Sequence, residues 1–190
     1  MDVPTQSLLD APALLYQVSA VIDEQAYVEL GAGQMRLGKI RLPQRGARRM
    51  KILTVIDEFT REALAIVPAR SLTSSAVKGV LAKLFAVRGK PSTIRSDNGP
   101  EFVAFELTEW LETQGATTHH IEPGKPWQNS FAESFNSRVR DECLNMNEFW
   151  SIEHARVVLE SWRIEFNTEH PHSSLGYMTP EQFAASWDAA

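Results

Sequence analysis

Two acids, Asp97 and Glu133, stand where a chain of this kind can do chemistry. Asp97 lies in Ile94-Arg95-Ser96-Asp97-Asn98-Gly99-Pro100-Glu101-Phe102, at the end of a short apolar stretch. Glu133 lies in Pro123-Gly124-Lys125-Pro126-Trp127-Gln128-Asn129-Ser130-Phe131-Ala132-Glu133-Ser134-Phe135-Asn136, where a helix begins, 36 positions on (133 − 97). A carboxylate at the carboxyl end of a strand and another on a helix packed beside it can share a hard divalent cation. Mg²⁺ takes oxygen ligands and keeps several waters, so few protein groups suffice. Two such ions about 3.5–4 Å apart can activate a nucleophile, stabilise a leaving oxygen and neutralise a phosphoryl group. Neither acid needs an unusual pKa, because the metal keeps both ionised. Taken alone, Asp-Asn-Gly is ordinary turn chemistry and Glu133 an ordinary solvated helix residue.

The elements that must position these acids are legible from about Met50 onward. Lys51 to Ile56 is apolar and β-branched, and Asp57-Glu58-Phe59-Thr60-Arg61 predicts a turn into a second strand, Glu62 to Pro68. Ala76, Val80, Leu84 and Val87 predict the buried face of a helix over 73–87, closed by Gly89 and Pro91. Ser92 to Ser96 predicts a strand leading to Asp97. Pro100 suits a first helical turn, with Phe102, Val103, Leu107, Trp110 and Leu111 inward, and Thr117 to Ile121 predicts another strand. Helices follow over 129–146 and 152–167, with a short one after Pro180. Phe131, Phe135 and Val139 read as core, and so do Ala155, Val158, Leu159, Trp162 and Phe166. Residues 1–35 carry no clear period, and Leu14 to Leu30 reads as a short helix or a strand pair. The order is α/β with a mixed sheet.

The two quoted motifs, with their order and separation, resemble the last two carboxylates of a DDE transposase/integrase core. The branch is that of bacterial insertion sequences, which resembles retroviral integrases. Phe166-Asn167-Thr168-Glu169-His170-Pro171-His172-Ser173-Ser174-Leu175-Gly176-Tyr177-Met178-Thr179-Pro180 resembles the end of the same domain, with His170 where the branch usually has Arg. The resemblance covers about residues 50–187. It implies a ribonuclease-H-like α/β fold, a mixed five-stranded sheet flanked by helices. The expected division is a poorly defined segment, 1–35, and an integrase-like core, 36–187. The implied function is DNA transposition or integration by metal-dependent phosphoryl transfer, with Asp97 and Glu133 as catalytic residues and ligands of Mg²⁺ or Mn²⁺. Lys125 and Arg140 are the implied DNA contacts, Arg140 lying two turns beyond Glu133. The implied partners are DNA, further copies of the chain, or an intact transposase.

The first acid of the triad is missing from this pattern. The family carries it mid-strand in a Trp-x-x-Asp-Phe-like context, before the hairpin leading into Lys51–Ile56. Counting back without gaps places Gly38 there, and no Asp or Glu occurs between Glu29 and Asp57. Asp57 reads as a turn or supporting residue, and Asp23 would require a rearranged first strand. The expectation is a truncated, catalytically impaired copy with weakened metal binding. The alternative is a non-catalytic DNA-binding or transposase-interacting module that keeps the fold.

Bulk composition narrows the partners. The net charge is −5, unlike a self-sufficient DNA-binding protein. Arg36, Lys39, Arg41, Arg45, Arg48, Arg49 and Lys51 nevertheless fall in an acid-free run, which is either a solvated loop or a DNA-facing edge. Trp127 is either a base-stacking residue or an anchor. His170 and His172 lack the companions a zinc site needs, and Cys143 is the single cysteine. No apolar run approaches the roughly 20 residues of a membrane span, so a cytoplasmic location is expected.

Overall fold

Apolar side chains occupy both faces of the central strand 48–57, and they build two cores, one on each face of a single sheet. The computed structural model describes residues 15–28, 48–122 and 130–188. Among the described residues there are five strands: β1 (Leu15–Val28), β2 (Arg48–Asp57), β3 (Ala63–Ala69), β4 (Thr93–Ser96) and β5 (Thr117–His120). Their order is β3-β2-β1-β4-β5, with β1–β2 and β2–β3 antiparallel and β1–β4 and β4–β5 parallel. The helices are α1 (Ser74–Arg88), α2 (Phe105–Thr113), α3 (Ser130–Arg138), α4 (Ile152–Glu169) and α5 (Pro180–Asp188). This is the expected mixed five-stranded α/β sheet.

Tyr16, Val18, Leu53 and Val55 point to the face covered by α1 and α2, where they meet Leu81, Phe85, Leu107 and Leu111. Met50, Ile52 and Ile56 point to the other face and pack with Phe135, Val139, Leu159, Trp162 and Phe166 of α3 and α4. The buried amide of Asn167 clamps α4 to β3: its Oδ1 accepts from Ala63 N at 2.8 Å and its Nδ2 donates to Ala63 O at 3.1 Å. No helix among the described residues is long and apolar enough to cross a membrane.

Several local expectations are corrected. Leu15–Val28 is one long strand, not a helix or strand pair, and it sits between β2 and β4 at the centre of the sheet. The buried face of α1 is Val77, Leu81 and Phe85, one residue round from the expected set, and Val87 is 82% exposed. The large ring of Phe85 decides this rotation, because it stacks on Trp110 of α2 at 5.4 Å and lies 6.5 Å from Tyr16. Pro100 opens a turn, and α2 begins only at Phe105. The helix expected to run through to Met146 changes at Val139 into a π-helical segment, Val139–Leu144. Phe131 is not core: it is 40% exposed, with the Arg61 guanidinium 3.7 Å from its ring centroid.

Candidate active site

The edge where β4 ends and α3 begins collects the polar groups of the α3 face. Asp97 follows directly on β4, and the chain turns there because Asp97 Oδ1 accepts from Gly99 N at 2.9 Å. Asn98 Nδ2 donates to Ile121 O at 2.8 Å and so ties this turn to the end of β5. Behind it, Glu101 is buried, with Lys51 Nζ 3.9 Å from its carboxylate. Gly99 is required by a close approach. A Cβ there would lie 2.9 Å from Asp97 Oδ1, 3.2 Å from Phe102 Cδ2 and 3.3 Å from Glu101 Cδ. Gly99→Ala is therefore expected to displace the Asp97 carboxylate and to cost about 1–3 kcal/mol, the usual range for overpacking. Thermal melting checks this, and an unchanged midpoint would refute the crowding.

Glu133 occupies the first turn of α3, where the helix dipole favours an acid. Two side chains from the sheet hold that turn in place. Gln17 of β1, almost fully buried, accepts from Ala132 N through Oε1 at 3.1 Å, which satisfies an amide left open at the helix start. One turn later, Thr54 Oγ1 of β2 donates to Asn136 Oδ1 at 2.9 Å. Glu133 lies between these two anchors, on the side of the sheet that Gln17 and Thr54 face. Strand parity puts Asp97 toward the same face, since Ile94 and Ser96 line the α1–α2 core while Arg95 reaches Glu58 of the β2–β3 turn at 2.7 Å.

Strand register shows which residue of β1 lies level with Asp97. Val18 pairs with Ser96 in the parallel β1–β4 ladder, so Ser19 is level with Asp97, and Ser19 also pairs with Thr54. The expectation of Gly38 falls outside the described residues. The strand lying between β2 and β4 is 15–28, so the sheet position beside Asp97 belongs to Ser19. Asp23 is in β1 but four residues past Ser19, roughly 13 Å along the strand at about 3.3 Å per residue.

Asp57 belongs to the opposite face. Its Oδ1 accepts from Phe59 N at 2.7 Å and Thr60 N at 3.2 Å, which builds the β2–β3 turn. Burial pushes its carboxyl above the usual range, opposed by those two N–H groups. Burial, with Asp57 beside it, pushes the Tyr16 phenol up to about 12. A raised carboxyl pKa means that this group favours folding below its unfolded value. That contribution is lost as pH rises through the folded value, so at neutral pH its charge is a burden. Asp57→Asn keeps an acceptor oxygen and removes the charge. Asp57→Ala removes the acceptor and is expected to cost about 1–3 kcal/mol at pH 7, with Asp57→Asn costing clearly less. Melting of both variants decides it, and equal losses would contradict this account of the turn.

Arg140 lies exposed in the π-helical segment, where its carbonyl accepts from Asn145 N at 2.8 Å. Asn136, one turn before it, accepts from Thr54 Oγ1. Lys125 and Trp127 lie outside the described residues, as do most of the basic run beginning at Arg36. Among the described residues, no three His, Cys, Asp or Glu side chains form a group able to hold a metal ion. Sequence reasoning missed Gln17, Thr54 and Ser19. The available signal was a polar residue inside an apolar strand, Tyr16-Gln17-Val18 and Leu53-Thr54-Val55.

Two models of an integrase core domain match the chain, over residues 34–126 and 114–180, and together they span most of it. The chain belongs to the integrase core family. An uncharacterized 31.7 kDa protein of insertion element IS407 from Burkholderia multivorans is 44% identical over 138 residues, 73% of this chain and 50% of that protein. An uncharacterized 39.2 kDa protein of insertion element IS476 from Xanthomonas euvesicatoria is 44% identical over 141 residues, 74% and 41% of the two chains. The chain thus spans half or less of the length of these curated relatives. Among solved structures, the HTLV-2 integrase catalytic core domain in complex with magnesium has a TM-score of 0.62 at 15% identity, covering 90% of this chain and 96% of that one. The BIV integrase catalytic core domain has a TM-score of 0.63 at 16% identity, covering 92% and 96%. At that identity the likeness establishes the ribonuclease-H-like integrase-core fold, with β1 at its centre and α3 against the α3-side core.

Proposed function

We propose that this chain is the core portion of an insertion-sequence transposase, built for metal-dependent cutting and joining of DNA strands and impaired in that chemistry. The observation that carries the impairment is the β1–β4 register, which sets Ser19, not an acid, level with Asp97. Asp97 and Glu133 are hard oxygen donors and suit Mg²⁺ or Mn²⁺. As two carboxylates they fit one ion completed by water and phosphate, and they fall short of a two-ion clamp. When bound, the metal supplies charge neutralisation at the phosphoryl group. The protein's own share is positional. Gln17 and Thr54 hold the first turn of α3, the Asp97–Gly99 turn aims its carboxylate, and Lys125 and Arg140 contact phosphates. The DNA substrate comprises transposon ends and target, and the working unit is a homo-oligomer or an assembly with intact transposase.

A second reading, a non-catalytic partner of intact transposase, is favoured by exposed apolar residues around the π-helical segment and α4. Met146 is 74% exposed, Trp150 65% and Val157 69%. Nicking of supercoiled plasmid in Mg²⁺ or Mn²⁺ tests the primary reading. The parent chain is expected to nick slowly, and Asp97→Asn to abolish what remains. Robust strand joining by the parent would overturn the impairment. Residual nicking indifferent to Asp97→Asn would remove Asp97 from the site.

A further inference from the structure

A polar cavity of about 220 Å³ lies on the other side of α3 from Glu133. Its walls include Arg61, Phe131, Ser134, Arg138, His172 and Ser174, and no carboxylate lines it. On α3, Phe131, Ser134 and Arg138 share one helical face, while Glu133 sits about half a turn away. The cavity therefore stands apart from the carboxylate edge.

Two of its polar side chains, Arg61 and His172, are held in place with one buried nitrogen each left unpartnered. The β2–β3 turn built on Asp57 forces Arg61 to a positive φ of 63°, and its N–H donates to Asp57 O at 2.9 Å. The Arg61 guanidinium rests on the Phe131 ring, and its Nη1 is buried with no hydrogen-bond partner. His172 is fixed by its backbone, with His172 N donating to Met178 O at 3.0 Å, and by edge-on packing against Phe166 at 5.0 Å. Its Nε2 is likewise buried without a partner. Glu58 and Asp57 act on Arg61 through their charge, but their printed hydrogen bonds go to other groups: Glu58 accepts from Arg95 at 2.7 and 2.9 Å, and Asp57 accepts from its own turn. Glu142 and Glu165 approach His170 at 3.7 and 3.8 Å. Burial, then Arg138, His170 and Arg61, hold the His172 imidazole below its ordinary pKa. An open cleft with two guanidinium groups, two hydroxyls, an unpartnered imidazole nitrogen and no acid in its lining is complementary to an oxyanion. The planar fork of Arg matches phosphate oxygens in particular.

We propose that the cavity walled by Arg61, Ser134, Arg138, His172 and Ser174 is an oxyanion site that takes a phosphoryl group, from a DNA strand or from a small phosphate. It stands whether or not the carboxylate edge cleaves DNA. The test titrates the full chain with inorganic phosphate while the His172 ring signals are followed by NMR, assigned by their loss in His172→Gln. Phosphate is expected to shift those signals saturably and to raise the pH at which they titrate, as a bound anion favours imidazolium. Arg138 is exposed, and Arg138→Gln is expected to fold and to weaken binding by at least about tenfold, with Arg138→Lys weakening it less. Should Arg138→Gln fail to melt cooperatively, Ser174→Ala and Arg138→Lys carry the comparison. Absence of a saturable His172 shift, or phosphate affinity unchanged in these variants, would overturn the site. A DNA arm identifies the source. If a DNA strand fills the cavity, Arg138→Gln lowers duplex affinity and reduces the salt slope by about one. If a small phosphate fills it, duplex affinity stays constant while phosphate binding falls.

Discussion

Ser19→Asp is expected to raise metal-dependent nicking by about a hundredfold over the parent chain, roughly 2.7 kcal/mol of transition-state stabilisation. The argument runs through the ladder. Val18 pairs with Ser96, so position 19 falls beside position 97. Gln17, two residues earlier, turns its side chain to α3, where Oε1 accepts from Ala132 N. With a strand period of two, an acid introduced at position 19 is expected on that face. An acid there would complete a third oxygen ligand beside Asp97 and Glu133 and let two ions be held where two carboxylates hold one. Gly38→Asp is the companion variant, and it is expected to change nicking little. A gain with Gly38→Asp and none with Ser19→Asp would show that β1 is not the strand carrying the metal edge. Asp57→Asn in the Ser19→Asp background should leave the gain intact, because Asp57 lies under α1 on the far face.

Phe135→Ala should produce the largest loss of stability. Phe135 is 3% exposed, and its ring meets Phe166 edge-on at 5.2 Å and Trp162 at 5.9 Å. Truncating a buried Phe costs about 3–5 kcal/mol, through lost transfer energy and the cavity left behind. For a chain of this size each kcal/mol lowers Tm by about 2–4 °C, so a fall of roughly 6–20 °C is expected. The effect reaches the candidate site, because α3 is seated on the sheet by Phe135 below, by Gln17 at its first turn and by Thr54 one turn later. Phe131→Ala, at a half-exposed ring four residues earlier, is expected to cost under about 1 kcal/mol. Similar losses for the two variants would mean that α3 is not anchored through Phe135.

Local sequence signals served best where one element carries the whole message. The Asp97–Gly99 turn, the first turn of α3 around Glu133, and the inward positions of α4 follow from residue type and spacing within a dozen residues. The buried side of α1 did not, because its period fits two adjacent stripes. Only the stacking of Phe85 on Trp110 selects Val77, Leu81 and Phe85. The π-helical segment after Arg138 has no marker in the sequence, although it determines how Arg140 is presented.

The chain alone determined its family, its α/β order and the pair of acids at 97 and 133, since each is written in contiguous text. Tertiary structure decided which strand stands between β2 and β4, that Asp57 faces away from α3, and that Ser19 of β1 lies level with Asp97. The physical reason is range. A central strand is defined by hydrogen bonds to partners about 20–80 residues away and by the face each side chain buries, and neither is expressed in the local period of its own residues.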